Sequence, residues 1–410
     1  MTSDFLYNRI HLLTGNKLNI DPSDPPISIP QKYYLLLGNK QKKQVFLSEV
    51  VNAVHSILSR KEEYGDATLD KWGRFDHDKS FLVQNGLDQS PIIDELILYI
   101  LNQLDLKTRS IWPEGKKFAV CLTHDVDAID GLSYLWLRRM NWYWRWVSAR
   151  LGNNQQEADK WISTLKKWVQ FRKLNFDPMD SFDQIQELED SHGFRSTFFF
   201  MSLCHGLSRE GRRYSVKNPR VAEVSKKLLE GGWEIGLHAD YHDPLSLSSL
   251  KKQRQRLEDV IQKEISGCRH HYLRVRFPDS WEIYAQAGFN YSSNMGWGSG
   301  FQGFRAGTCL PYQPIREHSL LEVPFQLMDT NPIADIESYM NMFNQYLELT
   351  KSVGGCLVLD FHQEHFREEA ASGVGKVYKN ILDTIARDQD VVVLTMNEVC
   401  KTMKQIGKLA

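Results

Sequence analysis

Phe118-Ala119-Val120-Cys121-Leu122-Thr123-His124-Asp125-Val126-Asp127 decides how the rest of the chain is read. Its apolar first half predicts a buried strand, and the polar tip that follows carries two carboxylates. Residues i and i+2 of a strand project to the same side, so Asp125 and Asp127 can converge on one site while His124 and Val126 face away. Carboxylates held that close repel. A cation neutralises one and leaves the other free to accept a proton. A pair of capping or turn aspartates has the same local pattern, so the reading needs a partner elsewhere in the chain.

That partner is His238-Ala239-Asp240-Tyr241-His242, 113 residues beyond Asp125. It too follows an apolar run, Trp233-Glu234-Ile235-Gly236-Leu237. The i, i+4 spacing predicts His238 and His242 stacked on one helical face as metal ligands. Asp240 lies off that face and is expected to hold an imidazole or a backbone amide. Two carboxylates and two imidazoles suffice for an open three-ligand metal site with one acid left over as a base. Two separately satisfied histidines are the competing reading.

Around these clusters, from Lys116 onward, the pattern alternates. Strands are expected at 118–122, 196–201, 234–237, 272–277, 321–325, 356–361 and 391–395. Helices are expected between them at 181–191, 219–229, 248–265, 335–351 and 375–387. Such alternation implies a parallel sheet with crossover helices, and the strand number favours a (β/α) barrel over a doubly wound sheet. Residues 1–112 read as a smaller N-terminal α/β domain, with a strand at 33–37, helices at 45–59 and 92–106, and a linker at Trp112-Pro113-Glu114-Gly115. The barrel domain then spans 113–410. Its insertion at 131–180 holds six of the eleven tryptophans, and between Arg138 and Lys173 it sets nine Lys/Arg against Glu157 and Asp159 alone. It is expected to be a helical hairpin, a lid over a phosphate-bearing sugar, or a surface that rests on anionic lipid.

Composition excludes several classes. Hydrophobic and charged fractions of 42% and 25% belong to a globular protein, and a formal charge of −1 argues against bulk nucleic-acid binding. No transmembrane stretch and no secretory signal in 1–18 are visible, and the six cysteines are scattered, so the expected location is cytoplasmic.

From about Lys116 the chain resembles the polysaccharide deacetylases of the NodB-homology superfamily. Thr123 to Asp127 is similar to that family's T-F-D-D-G motif, and Ser196 to Phe200 to its second strand. His238 to His242 resembles its H-x-x-x-H motif, Arg276-Phe277-Pro278 its R-x-P motif, and Phe361-His362 its late strand-end histidine. The resemblance implies a distorted (β/α) barrel and a carbohydrate deacetylase. Asp125 matches the general base, Arg276 the arginine that pairs with it, and His362 the general acid. His238 and His242 match the metal ligands. The family's second aspartate is adjacent to the first, whereas Val126 stands there in this chain, so Asp127 is assigned as the third ligand. The implied cofactor is a divalent metal, zinc first, with cobalt, manganese and nickel accepting the same ligands.

Arg274, Arg305 and Trp297 are the candidates for holding substrate. The expected substrate is an N-acetylated sugar, nucleotide- or lipid-linked, from surface-polysaccharide synthesis, with peripheral membrane contact in the lipid-linked case. Rival readings are a glycosidic-bond or cyclic-amide hydrolase of the same superfamily, and a non-catalytic carbohydrate-binding barrel.

Overall fold

The computed structural model describes residues 4–15, 26–38, 44–129, 135–203, 214–242, 244–298, 300–329, 333, 335–368 and 373–408, with the side chains of 4–7, 135–138, 407 and 408 outside that description. Near the N-terminus, two short strands, β1 (Ile27–Ser28) and β2 (Gln44–Val45), pair antiparallel. Nine parallel strands follow. They are β3 (Phe118–Val126), β4 (Thr197–Phe200), β5 (Glu234–Ala239), β6 (Gly267–His270), β7 (Tyr291–Ser292), β8 (Leu321–Glu322), β9 (Leu327–Met328), β10 (Cys356–Asp360) and β11 (Val391–Val393).

Their order is β8-β7-β6-β5-β4-β3-β10-β9. The two ends of that order are neighbours in sequence. Val323 N–H donates to Ser292 O (2.8 Å) on one side, and Gln326 N–H to Val358 O (3.1 Å) on the other. One extended segment, 321–329, therefore bonds to both edges and closes the sheet into a distorted (β/α) barrel. β11 pairs with the first residues of β3, on the side where β4 takes over from Thr123. β3 is buried along all nine residues, as a strand covered on both faces must be.

The crossover helices form for ordinary reasons. Asn218 caps the helix Pro219–Glu230 by accepting from Arg220 N–H, with Pro219 in the first turn where a missing N–H costs nothing. In the helix Val374–Arg387, Val374, Val377, Tyr378, Ile381, Leu382 and Ile385 are buried, a single stripe at 3.6-residue spacing turned to the barrel. At Gly267 in β6 a side chain would collide with the Tyr291 ring, so the strand can lie flat beneath it.

Two expected strands are absent. Residues 33–37 form a 3₁₀ turn and further turns, burying Tyr33 and Leu36 at turn spacing rather than alternately. Residues 272–277 follow the strand instead of forming it: β6 ends at His270, and Tyr272 and Leu273 have φ of 60° and 53°. β6 escaped notice because Arg269 and His270 interrupt its apolar pattern.

The described residues of 1–112 pack on the barrel through one continuous apolar core that joins Val54, Ile93 and Ile100 to Phe304 and Cys309. Trp112 is buried, and its indole N–H donates to Gly354 O (2.8 Å), so the expected linker is pinned to the barrel. In the insertion, helices Leu135–Leu151 and Gln155–Lys173 form a hairpin in which Trp142 and Trp168 pack at 5.6 Å and Arg145 lies 4.8 Å over Trp161. Residues 131–134 and the Trp136 side chain lie outside the described residues, as does Cys204. The other five cysteines are buried thiols.

Candidate metal centre

The C-terminal tips of β3, β5, β6 and β10 and the end of the closing segment surround a cavity of about 410 Å³. Asp125 and Asp127 both line it, as alternation along β3 requires. His124 points the other way. It is fully buried, with Nε2 2.9 Å from Glu189 Oε1 and Nδ1 2.8 Å from Phe361 O.

A buried arginine organises the floor. Arg269 Nη1 lies 3.0 Å from Asp125 Oδ1, 2.7 Å from Asp360 Oδ1 and 2.9 Å from Thr123 Oγ1. Its Nε donates to Ser293 O (3.0 Å), and Phe199 and Phe325 cover it at 4.6 and 4.9 Å. One cation thus serves two carboxylates, and their proton affinities part. Burial raises Asp360, to about 6. Burial also works against Asp125, yet the charges of His238 and Arg269 outweigh it and hold this carboxyl below its usual range. Environments that push two acids apart mark the ionised one as the available base.

Beside Asp125 stands Asp127 with two imidazoles. His238 Nε2 is 3.3 Å from Asp127 Oδ1, and His271 Nε2 is 3.1 Å from Asp127 Oδ2. His238 Nδ1 is 3.1 Å from Arg269 O, which fixes the ring and turns Nε2 toward the carboxylates. The three residues are buried, and each offers a donor atom within 4.8 Å of the others. One carboxylate and two imidazoles suit a divalent transition ion with positions left open. Among the described residues two other groupings occur, Asp329–His362–His365 and Asp125–Asp360–His362. In the first, the Asp329 oxygens are already engaged, by His362 Nδ1 at 2.6 Å and His365 Nδ1 at 2.8 Å. In the second, Asp125 and Asp360 share Arg269. The Asp127 group fits an ion best.

His362 lines the cavity after β10, with a donor atom within 4.8 Å of Asp125. Burial alone would lower its pKa, but the Asp329 carboxylate raises it well above the ordinary imidazole value. Conversely the two histidines hold Asp329 far below its own ordinary value despite burial. The Asp329 contact thus favours the protonated form of His362, as the charges of His238 and Arg269 favour the ionised form of Asp125.

The structure therefore brings Asp125, Asp127, His238 and His362 together and leaves five candidates elsewhere. His242 is exposed, because β5 runs through Ala239 and the chain then bends, so no helical turn aligns positions 238 and 242. His271 occupies the place expected of it. Arg276 does not reach Asp125; its Nη1 donates to Gly73 O (2.6 Å) and Val275 O (2.8 Å), and Arg269 stands beside the acid instead. Arg305 is buried in a two-oxygen contact with Glu63 (2.8 and 2.9 Å), and Trp297 is buried with its ring 5.0 Å from that guanidinium. Neither lines the cavity. Arg274 donates to Tyr241 O (2.7 Å) and lies over the Tyr241 ring. The sequence reading missed Arg269, His271, Asp329 and His365. A signal for the first two existed in Arg269-His270-His271, had the short strand before it been recognised.

A family described as of unknown function (DUF7033) matches residues 5–109. No curated protein matches the chain. Among solved structures, the chain is similar to a putative polysaccharide deacetylase from Mycobacterium smegmatis at 18% identity and a TM-score of 0.46, covering 72% of this chain and 92% of that one. It is similar to a Puue allantoinase at 12% identity and a TM-score of 0.48, covering 72% and 93%. A probable polysaccharide deacetylase from Pseudomonas aeruginosa PAO1 matches at 12% identity and a TM-score of 0.46, covering 74% and 97%.

Proposed function

We propose that this chain is a metal-dependent hydrolase that removes the acetyl group from an N-acetylated sugar. One observation carries the reading: Asp125, an Asp–His–His donor set and His362 face one cavity. Asp127, His238 and His271 would hold the ion, and a divalent metal supplies a Lewis acid and a water of lowered pKa there. Asp125, kept ionised by Arg269, takes the proton of the attacking water. His362, kept protonated by Asp329, gives its proton to the departing sugar nitrogen. Arg269 fixes the base in place and does not meet substrate.

The substrate class follows from the surroundings. The hairpin exposes Met140, Tyr143 and Trp144 beside Arg139 and Arg145, a surface that supports a phosphate-bearing sugar, nucleotide- or lipid-linked. Zinc is the first candidate ion on the nitrogen-rich donor set.

The test is metal analysis of the purified chain joined to an acetate-release screen over N-acetylated amino sugars, with and without chelator. Stoichiometric metal and chelator-sensitive acetate release are expected. Saccharide binding without turnover under zinc, cobalt, manganese and nickel would overturn the reading, as would ureide hydrolysis that survives chelator.

A further inference from the structure

The cavity is not built by the barrel alone. Trp72 and Arg74, from the region that matches a family of unknown function, line it beside His271, Tyr272 and Gly298. They sit on a tight turn organised by Asp70. Asp70 Oδ1 accepts from the Trp72 and Arg74 peptide N–H groups (both 2.9 Å), and Oδ2 accepts from Arg74 Nε (2.8 Å) and pairs with Nη2 (2.7 Å). The Leu69–Phe75 bridge closes the turn at its base.

The barrel grips this turn with residues from its own catalytic loops. Arg276 Nη1 donates to Gly73 O, and Tyr241 Oη donates to Trp72 O (3.2 Å). Gly73 has a φ of 72°, and a side chain there would press on Arg274 Nε. Tyr272, held at a positive φ directly after His271, stacks on Trp72 at 4.9 Å and 30°. Left-handed tyrosine is a costly conformation, and here it sets an aromatic wall next to the metal donors. The Arg74 guanidinium occupies the space over Gly298, where any side chain would collide with Nη1. Its Nε and Nη2 are engaged by Asp70, which aligns the guanidinium and leaves the Nη1 edge to the cavity wall.

We propose that the 70–74 turn of the N-terminal region is a substrate subsite: the Trp72–Tyr272 wall takes the apolar face of a sugar ring, and Arg74 takes an anionic group on that sugar, a phosphate ester. This rests on the reading of the barrel as an amino-sugar hydrolase and assigns the N-terminal region the selection of its substrate. An aromatic face suits the C–H side of a pyranose, and a guanidinium suits a phosphate. Phosphate on a nucleotide donor and phosphate on a lipid carrier present the same chemistry to Arg74.

The test compares the full-length wild type with Arg74→Gln, Arg74→Lys and Trp72→Ala. Binding of N-acetylglucosamine and of N-acetylglucosamine 1-phosphate is measured by calorimetry, alongside acetate release. Loss of one charge-assisted contact is expected to cut the preference for the phosphorylated sugar on the order of tenfold in Arg74→Gln, with partial recovery in Arg74→Lys. Trp72→Ala is expected to weaken both sugars by a similar factor while metal content stays at wild-type level. A uridine diphosphate sugar and a short-chain polyprenyl phosphate sugar then separate the two sources. An unchanged preference in Arg74→Gln overturns the subsite, even if acetate is released. Conversely, binding that follows Arg74 without acetate release from any sugar leaves the subsite standing and sinks the hydrolase. A wild type with no preference for the phosphorylated sugar overturns the assignment of Arg74 outright.

Discussion

Two of the buried charge clusters among the described residues are composed differently. At the junction between the N-terminal region and the barrel, Arg60 and Arg305 meet Glu62 and Glu63. Arg60 Nε lies 2.7 Å from Glu63 and Nη2 2.6 Å from Glu62, while Arg60 Nη1 donates to Arg305 O (2.8 Å). Two cations match two anions, and no imidazole takes part. At the barrel mouth, Asp125 and Asp360 share a single guanidinium, Arg269, while Asp127 and Asp329 lie against histidines. The balanced cluster fixes two surfaces together. The unbalanced one keeps an excess of carboxylate that only protons or a metal ion can neutralise. A structural contact asks for balance, whereas the proposed chemistry depends on a controlled deficit.

The largest expected effect comes from removing a metal donor from the unbalanced cluster. Asp127→Ala and His271→Ala each remove one donor, and each is expected to lower acetate release by at least about 10³-fold. Metal bound per chain, read by mass spectrometry of the native protein, should fall in both variants while far-ultraviolet circular dichroism is unchanged. Retained metal in His271→Ala would reassign the third donor.

Breaking the balanced cluster shows a different signature. Glu63→Gln leaves two buried guanidiniums short of an anion and is expected to cost about 3–5 kcal/mol of stability in urea titration. Acetate release per folded molecule should persist. The sign of the pH dependence also follows. Burial opposes ionisation of Glu63, but Arg305 and Arg60 win and depress its pKa. Its contribution is present above the unfolded carboxylate value and is lost as pH falls through the folded one. Flat acid stability in wild type, or no stability loss in the variant, would contradict this account.

What the sequence revealed depended on how far each signal reaches along the chain. β3, β5 and β10 are apolar runs ended by polar tips, so their strand character and the placement of Asp125, His238 and His362 could be read locally. The longer crossover helices were also legible, because a buried stripe such as Val377, Ile381 and Ile385 repeats at helical spacing. β6 was not, since a strand centred on a buried arginine looks polar until Asp125 and Asp360 are known to flank it. His242 misled because the i, i+4 rule holds only on a helix, and Ala239 is still in a strand. Arg276 is expected at the site from its R-x-P resemblance and Arg305 as a substrate contact, yet both contact residues more than 200 positions away in the N-terminal region. Long-range pairing of this kind leaves no local trace.

A smaller effect sharpens the assignment of the acid. Asp329 raises the pKa of His362, and the proposed acid must be protonated to act. The rate should therefore fall as pH rises through that elevated value. Asp329→Asn removes the charge, so the alkaline limb of the kcat profile should move to lower pH, with a loss near neutrality on the order of 10–100-fold. Metal content should not change, because Asp329 is outside the proposed ion site. A limb that stays in place would assign it to another group.

The smallest effect is the most discriminating about geometry. His242→Ala is expected to change kcat by no more than about twofold and stability by less than about 0.5 kcal/mol, since the side chain is exposed and Arg274 contacts its backbone oxygen rather than its ring. The spacing from His238 to His242 fits a ligand pair, but the path of the chain between them does not, and His271 arrives from the next strand to stand 3.1 Å from Asp127. Metal titration of His242→Ala and His271→Ala side by side decides between spacing and path. Loss of metal in His271→Ala alone supports the triad seen here, while loss in His242→Ala alone would mean that the loop after β5 folds into the cavity when an ion is bound.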